Sequence, residues 1–146
     1  MRKDFELLPH TADLKLRVYG ETLAELFTNA IVGMFQSIGP HAQGCVVRDE
    51  RLICDYLSVN RTVDVSAQSV DLLLVEFLSE ALYLSDVYNE AYLDTDVEYI
   101  SQTQVKALLK GVPIEGFDQE IKAVTYHELL VKQTNGLWVA DVLFDI

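Results

Sequence analysis

The hydrophobic pattern switches several times between a two-residue and a 3.6-residue period, and the switch points divide the chain into elements. Residues 5–8 form a short apolar strand closed by Pro9. Residues 14–19 alternate strictly, so Leu14, Leu16 and Val18 face a core while Lys15 and Arg17 face out, and Gly20 ends the run. By that parity Asp13 falls on the polar, accessible side. Thr22-Leu23-Ala24-Glu25 fits a capping box: the Thr22 hydroxyl accepts from the amide three residues on, and Glu25 reaches back. Leu23, Leu26, Phe27, Ala30, Ile31, Met34 and Ile38 then recur at helical spacing as a core stripe, until Gly39-Pro40 stops the helix.

Further on, residues 46–47 and 52–54 predict a small hairpin around the charged Arg48-Asp49-Glu50-Arg51, and residues 61–65 alternate as a strand. Ser69 caps a second helix over about 72–87, with Asp71 in its first turn set against the helix dipole. That helix is apolar around most of its circumference and needs cover on two sides, by sheet; an interaction surface is the alternative. Residues 94–100 and 103–109 read as paired strands, and Gly111, Pro113 and Gly116 break the next stretch. Residues 121–133 and 137–145 flank Asn135-Gly136, the strongest short-range hairpin signal. Strands outnumber the two helices and are not interleaved with them. The expectation is an α+β fold, one compact domain over residues 1–146, with mostly antiparallel sheet.

A two-residue turn at Asn135-Gly136 sets a register for the last hairpin. Counting outward, Val131 faces Ala140, Leu129 faces Val142, His127 faces Phe144, Tyr126 faces Asp145 and Thr125 faces Ile146. One face, with Leu129, Val131, His127, Val142, Phe144 and Ile146, is then the buried one. The other holds Tyr126, Asp141 and Asp145. On this count Ile146 anchors the chain end in the core, and its carboxylate is held beside the Asp145 side chain. Lys122 lies four residues up-strand from Tyr126, roughly 13 Å away, and borders the place without belonging to it.

Composition narrows the partners. A chain of 146 residues, half of them apolar, supports one real core. No stretch approaches the roughly 20 apolar residues of a membrane span, and the first five residues lack the apolar run of a secretory signal. Cys45 and Cys54 show no zinc-ligand spacing and read as free thiols in a reducing compartment, hence a cytoplasmic protein. With 11 basic against 23 acidic residues and a formal charge of -12, direct nucleic-acid binding is not expected.

The acidic ends carry the candidate chemistry. If the fold brings them together, Asp13, Asp145 and the carboxylate of Ile146 offer three hard oxygen donors of one sign, which repel unless a cation lies between them. Such a set suits calcium or magnesium. His10 either adds a nitrogen donor, shifting preference toward a transition metal, or serves only the turn beside Pro9.

Several segments together resemble the archease family. They are His10-Thr11-Ala12-Asp13 with residues 16–20, the helix from Thr22 to Ala30, Leu74-Val75-Glu76-Phe77-Leu78 with Leu82-Tyr83-Leu84, Lys122-Ala123-Val124-Thr125-Tyr126-His127, and Leu143-Phe144-Asp145-Ile146. The likeness runs in order over nearly the whole chain, although the stretch from about Pro40 to Val59 is longer than in a typical archease. The resemblance implies a compact α+β fold and a non-enzymatic role as cofactor protein of an RtcB-type RNA ligase. In that role it promotes guanylylation and turnover of the ligase in tRNA splicing and RNA repair. It also implies a divalent cation, described in the family as calcium, on Asp13, Asp145 and Ile146, with Lys122 functionally important; Tyr126 is a neighbour of that place by the hairpin count alone. Magnesium or manganese are the other cations to consider. Two other readings compete. One is a general chaperone or interaction module built on the apolar second helix. The other is a metal-dependent hydrolase, which would need a base and nucleophile that no motif here supplies.

Overall fold

In a computed structural model of the chain, residues 3–146 are described; Met1 and Arg2, part of the stretch read as lacking a secretory signal, lie outside them. The chain opens with strands β1 (Phe5–Leu8) and β2 (Leu14–Gly20), followed by helix α1 (Leu23–Ser37) and the two-residue strand β3 (Pro40–His41). A hairpin, β4 (Cys45–Arg48) and β5 (Arg51–Cys54), precedes β6 (Val59–Ser66) and helix α2 (Val70–Tyr88). Then come β7 (Glu90–Ile100), β8 (Gln104–Pro113), β9 (Gly116–Phe117), β10 (Ala123–Thr134) and β11 (Leu137–Asp145).

Two antiparallel sheets dominate, one in the order β1-β2-β11-β10 and one in the order β6-β8-β7. Both helices touch strands of both sheets, so the core lies between the sheets and encloses the helical stripes. Leu16, Val18, Phe27, Phe77, Tyr92 and Phe144 are all fully buried there. This is the α+β arrangement that alternation and helical spacing predicted. The apolar circumference of α2 is covered as expected, and among its described residues only Tyr83, Val87 and Tyr88 are large, apolar and exposed.

The helix starts match their signals in part. The Glu25 amide donates to Thr22 Oγ1 at 3.1 Å, which caps α1. At α2 Ser69 holds the cap position, but its hydroxyl bonds the Asp71 carboxylate and makes no cap bond to the backbone. That hydroxyl, ahead of the opposing effect of burial, holds the Asp71 pKa below the usual carboxylate value.

Two expectations are corrected. Strands β7 and β8 run on to Glu90 and Pro113, because Glu90, Ala91 and Tyr92 are buried and pair with Pro113, Val112 and Gly111. Gly111 thus lies inside a strand and does not break one. Cys45 and Cys54 are not free thiols: they oppose each other across the β4–β5 hairpin, 4.4 Å apart at Cα, and form a disulfide. The two-residue turn at Asp49 and Glu50, both in the left-handed region with φ 52 and 64, sets that opposition. Spacing alone gave no sign of it, since nine residues of separation become a contact only once the hairpin register is known. The cysteines therefore lend no support to a reducing compartment. No helix among the described residues is long and apolar enough to cross a membrane.

Candidate functional site

Strand β11 lies between β2 and β10, and both ladders converge on its last residues. Against β2 the pairing keeps one register from Trp138↔Gly20 to Phe144↔Leu14, which leaves Asp13 just before the last paired residue of β2 and Asp145 just after that of β11. The ladder brings the segments that carry Asp13 and Asp145 to the same end of the sheet. Ala12 turns in the left-handed region, with φ 68, and Asp13 then leads into β2 at Leu14. Ile146 is partly buried and packs against the core, which anchors the chain end as predicted.

On the β10 side the expected register holds only near the turn. Pairs from Thr134↔Leu137 to Leu130↔Asp141 follow the count from Asn135-Gly136; beyond a shift the pairs are Thr125↔Leu143, Val124↔Phe144 and Ala123↔Asp145. Four residues of β10, 126–129, are set against Val142 alone, a bulge of three extra residues. Within it Glu128 adopts φ 55, a conformation that no residue other than glycine or asparagine advertises in a sequence.

The bulge relocates several predicted residues. The expected oppositions of Tyr126 with Asp145, Thr125 with Ile146 and His127 with Phe144 fail, and that of Leu129 with Val142 falls inside the bulge. Tyr126 instead reaches α2, where its hydroxyl donates to Glu76 Oε1 at 2.8 Å; that bond, then burial, raises its pKa. His127 is not a core residue: its ring is exposed, with Nε2 3.9 Å from Glu128 Oε2. Lys122 comes much nearer than counted, its amide donating to the Asp145 carbonyl oxygen at 2.7 Å. Its side chain lines a cleft of about 510 Å³ between the second half of α2 and residues 114–124, with Asp86 and Glu120 among the other lining groups.

Sequence reasoning missed Glu128. Its carboxylate lies 2.8 Å from His10 Nε2 and accepts from Lys15 Nζ at 3.3 Å. His10 first, then Lys15, hold its pKa below the usual value. The His10 ring spans from Glu128 to Asp13, whose Oδ2 is 3.8 Å from Nδ1. His10 is thus engaged by the bulge and stands at the border of the acidic pair.

Asp141 also departs from its predicted place on a solvated face. It is 5 % exposed, and Arg17 donates to both its oxygens, from Nε at 2.7 Å and Nη2 at 2.9 Å. Leu143 on the same face is buried too, because β11 is an inner strand with cover on both sides. The Arg17 bonds outweigh burial and lower the Asp141 pKa. Replacing Arg17 by alanine should cost about 2 kcal/mol near neutral pH, the scale of hydrogen bonds to a charged group. The loss should shrink in acid as Asp141 protonates, because a depressed carboxylate stabilises only above its folded pKa. Urea unfolding across pH measures both.

Among the described residues no three His, Cys, Asp or Glu side chains form a group able to hold a metal. Asp13 and Asp145 themselves offer only hard carboxylate oxygens.

A model of the archease protein family (MTH1598/TM1083) matches residues 5–146. The protein archease of Methanosarcina mazei is 36% identical over 152 residues, spanning 99% of this chain and 97% of that one. That of Pyrococcus furiosus is 31% identical over 153 residues and 99% of each chain. The solution structure of Methanobacterium thermoautotrophicum protein 1598 superposes with a TM-score of 0.68 at 24% identity, over 98% of this chain and 99% of that one. A Thermotoga maritima crystal structure, described as an archease and possible chaperone, gives 0.60 at 20% identity, over 100% and 98%. At those identities the structures speak to the fold alone, whereas the family match and the sequence relatives speak to descent. The chain belongs to the archease family.

Proposed function

We propose that this archease is a cation-binding accessory protein that activates an RtcB-type RNA ligase, promoting its guanylylation and turnover in tRNA splicing and RNA repair in the cytoplasm. The protein does not join RNA itself. One observation supports the cation part of the reading: the unbroken β2–β11 register, which ends at Phe144↔Leu14, brings the segments that carry Asp13 and Asp145 to one end of the sheet, with Ile146 packed against the core. The Asp13 and Asp145 side chains and the Ile146 carboxylate would hold the ion, calcium by preference, with magnesium or manganese as competitors. When bound, the ion neutralises carboxylates that otherwise repel one another. Lys122 is tied to the same strand end by its amide and lines the neighbouring cleft, which supports that flank as the side offered to the ligase. An acidic surface suits a partner whose RNA-binding face is basic.

The test combines calorimetry with ligation. Calcium and magnesium are titrated into wild type, Asp13→Ala, Asp145→Ala and a form extended beyond Ile146. Each change should weaken calcium on the order of tenfold or more, since affinity follows ligand charge count. The same proteins are added to the ligase under multiple turnover. Wild type should raise turnover and the two alanine variants should not; equal turnover with and without wild type sinks the ligase reading.

A further inference from the structure

We propose that the outer edge of β1 is a docking site where an extended, basic segment of a partner protein adds as a strand. β1 is the terminal strand of its sheet. The Tyr19 amide donates to the Asp4 carbonyl oxygen at 2.9 Å, and the register continues as Phe5↔Val18 and Leu7↔Leu16. Hydrogen-bonded and non-bonded pairs alternate in an antiparallel ladder, so Phe5 and Leu7 turn their amides and carbonyls away from β2. Among the described residues no strand takes them up. Such a row is a template for strand addition, and although this strand is short and carries Glu6, Leu7 is 47% exposed on it.

The space beside the edge fits an occupant. A groove of about 1090 Å³ runs between β1, the end of α1 and the β4–β5 hairpin, and the exposed Val47 forms part of its wall. The hairpin is a firm wall. Its disulfide closes one end, and the buried Gln36 side chain bonds both the amide and the carbonyl of Leu52, at 2.8 and 3.0 Å.

Charge selects the occupant. Asp4, Glu6, Asp49, Glu50 and Asp118 line the groove. Against them stand Lys3, already 3.4 Å from Glu6, and Arg51, whose guanidinium lies 4.4 Å over the Phe5 ring. The net field is acidic. It repels nucleic acid and a second copy of a chain of charge -12, and attracts a strand that alternates basic with apolar side chains. One face of such a strand meets Leu7 and Val47, and the other meets the carboxylates. The inference does not depend on the ligase reading and survives its failure.

The probe is a fluorescein-labelled ten-residue peptide alternating lysine and valine, followed by anisotropy against the full chain. Its comparators are a glutamate–valine peptide and a lysine–valine peptide N-methylated at alternate residues, which deletes peptide donors without touching the protein. Leu7→Pro removes one outward donor at an edge position where proline is tolerated, and Asp49→Lys with Glu50→Lys reverses local charge. The lysine–valine peptide should bind, more weakly at high salt. N-methylation, the proline and the charge reversal should each weaken it about tenfold or more, and the glutamate peptide should not bind. Absence of lysine–valine binding overturns the proposal, as does binding indifferent to N-methylation. A self-associated dimer in sedimentation that Leu7→Pro dissolves also overturns it, by giving the edge to a second copy.

Discussion

Replacing Arg61 by alanine is expected to lower the free energy of unfolding by about 2–3 kcal/mol, the cost of leaving the buried Glu90 carboxylate short of its charged hydrogen-bond donors. Glu90 is 5 % exposed, and Arg61 donates to both its oxygens at 2.9 Å. Tyr92, itself fully buried, donates its hydroxyl to Glu90 Oε1 at 2.9 Å, and the guanidinium also lies 3.7 Å over the Tyr88 ring. Without Arg61 the carboxylate keeps only the tyrosine. Burial pushes the Glu90 pKa up, but the bonds from Arg61 and Tyr92 outweigh it and leave the value below the usual one. The pair's contribution is therefore complete above the unfolded glutamate pKa of about 4.3 and fades as pH falls through the folded value. The deficit of the variant should be largest near neutral pH and smaller at about pH 4. Urea denaturation at both pH values measures it; a neutral-pH loss under about 1 kcal/mol would show that Glu90 finds other partners.

Gly111→Ala should be at least as damaging, by roughly 3 kcal/mol or more, because a single methyl has no room. A Cβ at Gly111 would stand 1.9 Å from the Ala91 carbonyl oxygen and 2.8 Å from its carbon. Both are backbone atoms of the neighbouring strand and cannot swing aside. Gly111 lies in β8, the middle strand of its sheet, opposite Val59 on one side and Tyr92 on the other, next to the irregularity between Tyr92 and Asp94. Gly116→Ala is the control, since nothing lies within 4 Å of its Cβ position. It should change stability by less than about 0.5 kcal/mol. Thermal melts of the two variants should differ clearly; equal melting temperatures would mean that β7 moves freely away from β8.

Much of the fold was legible because period and capping are local. The alternation of residues 14–18, the Thr22 cap and the charged tip at Asp49-Glu50 each state their structure within a few residues. What stayed hidden is non-local. The disulfide depends on a hairpin register, and the buried state of Asp141 depends on which strand lies in the middle of the sheet. The candidate site is non-local as well. Nothing local sets β2 beside β11; the sequence made the approach of Asp13 and Asp145 conditional on the fold joining those segments, and the ladder through Phe144↔Leu14 brings them to one end of the sheet. The surroundings of Asp145 depart from the hairpin count because three extra residues enter at a left-handed glutamate. They exchange Tyr126 for Ala123 and bring Lys122 to the strand end. No composition or spacing rule marks Glu128 for that conformation.

The position of β11 has a kinetic consequence. It is the middle strand between β2 and β10, yet it follows every other element in the chain. Arg17 and its partner Asp141 are 124 residues apart. At ribosomal speeds of about 5–20 residues per second, β2 waits on the order of 6–25 s for the strand that completes its sheet. Until then β1 and β2 are a two-stranded ribbon, marginal by itself, and the apolar stripe of α1 lacks part of its cover. Newly made chains therefore pass through a window in which nearly all core residues have been made but the strand that joins β2 to β10 has not.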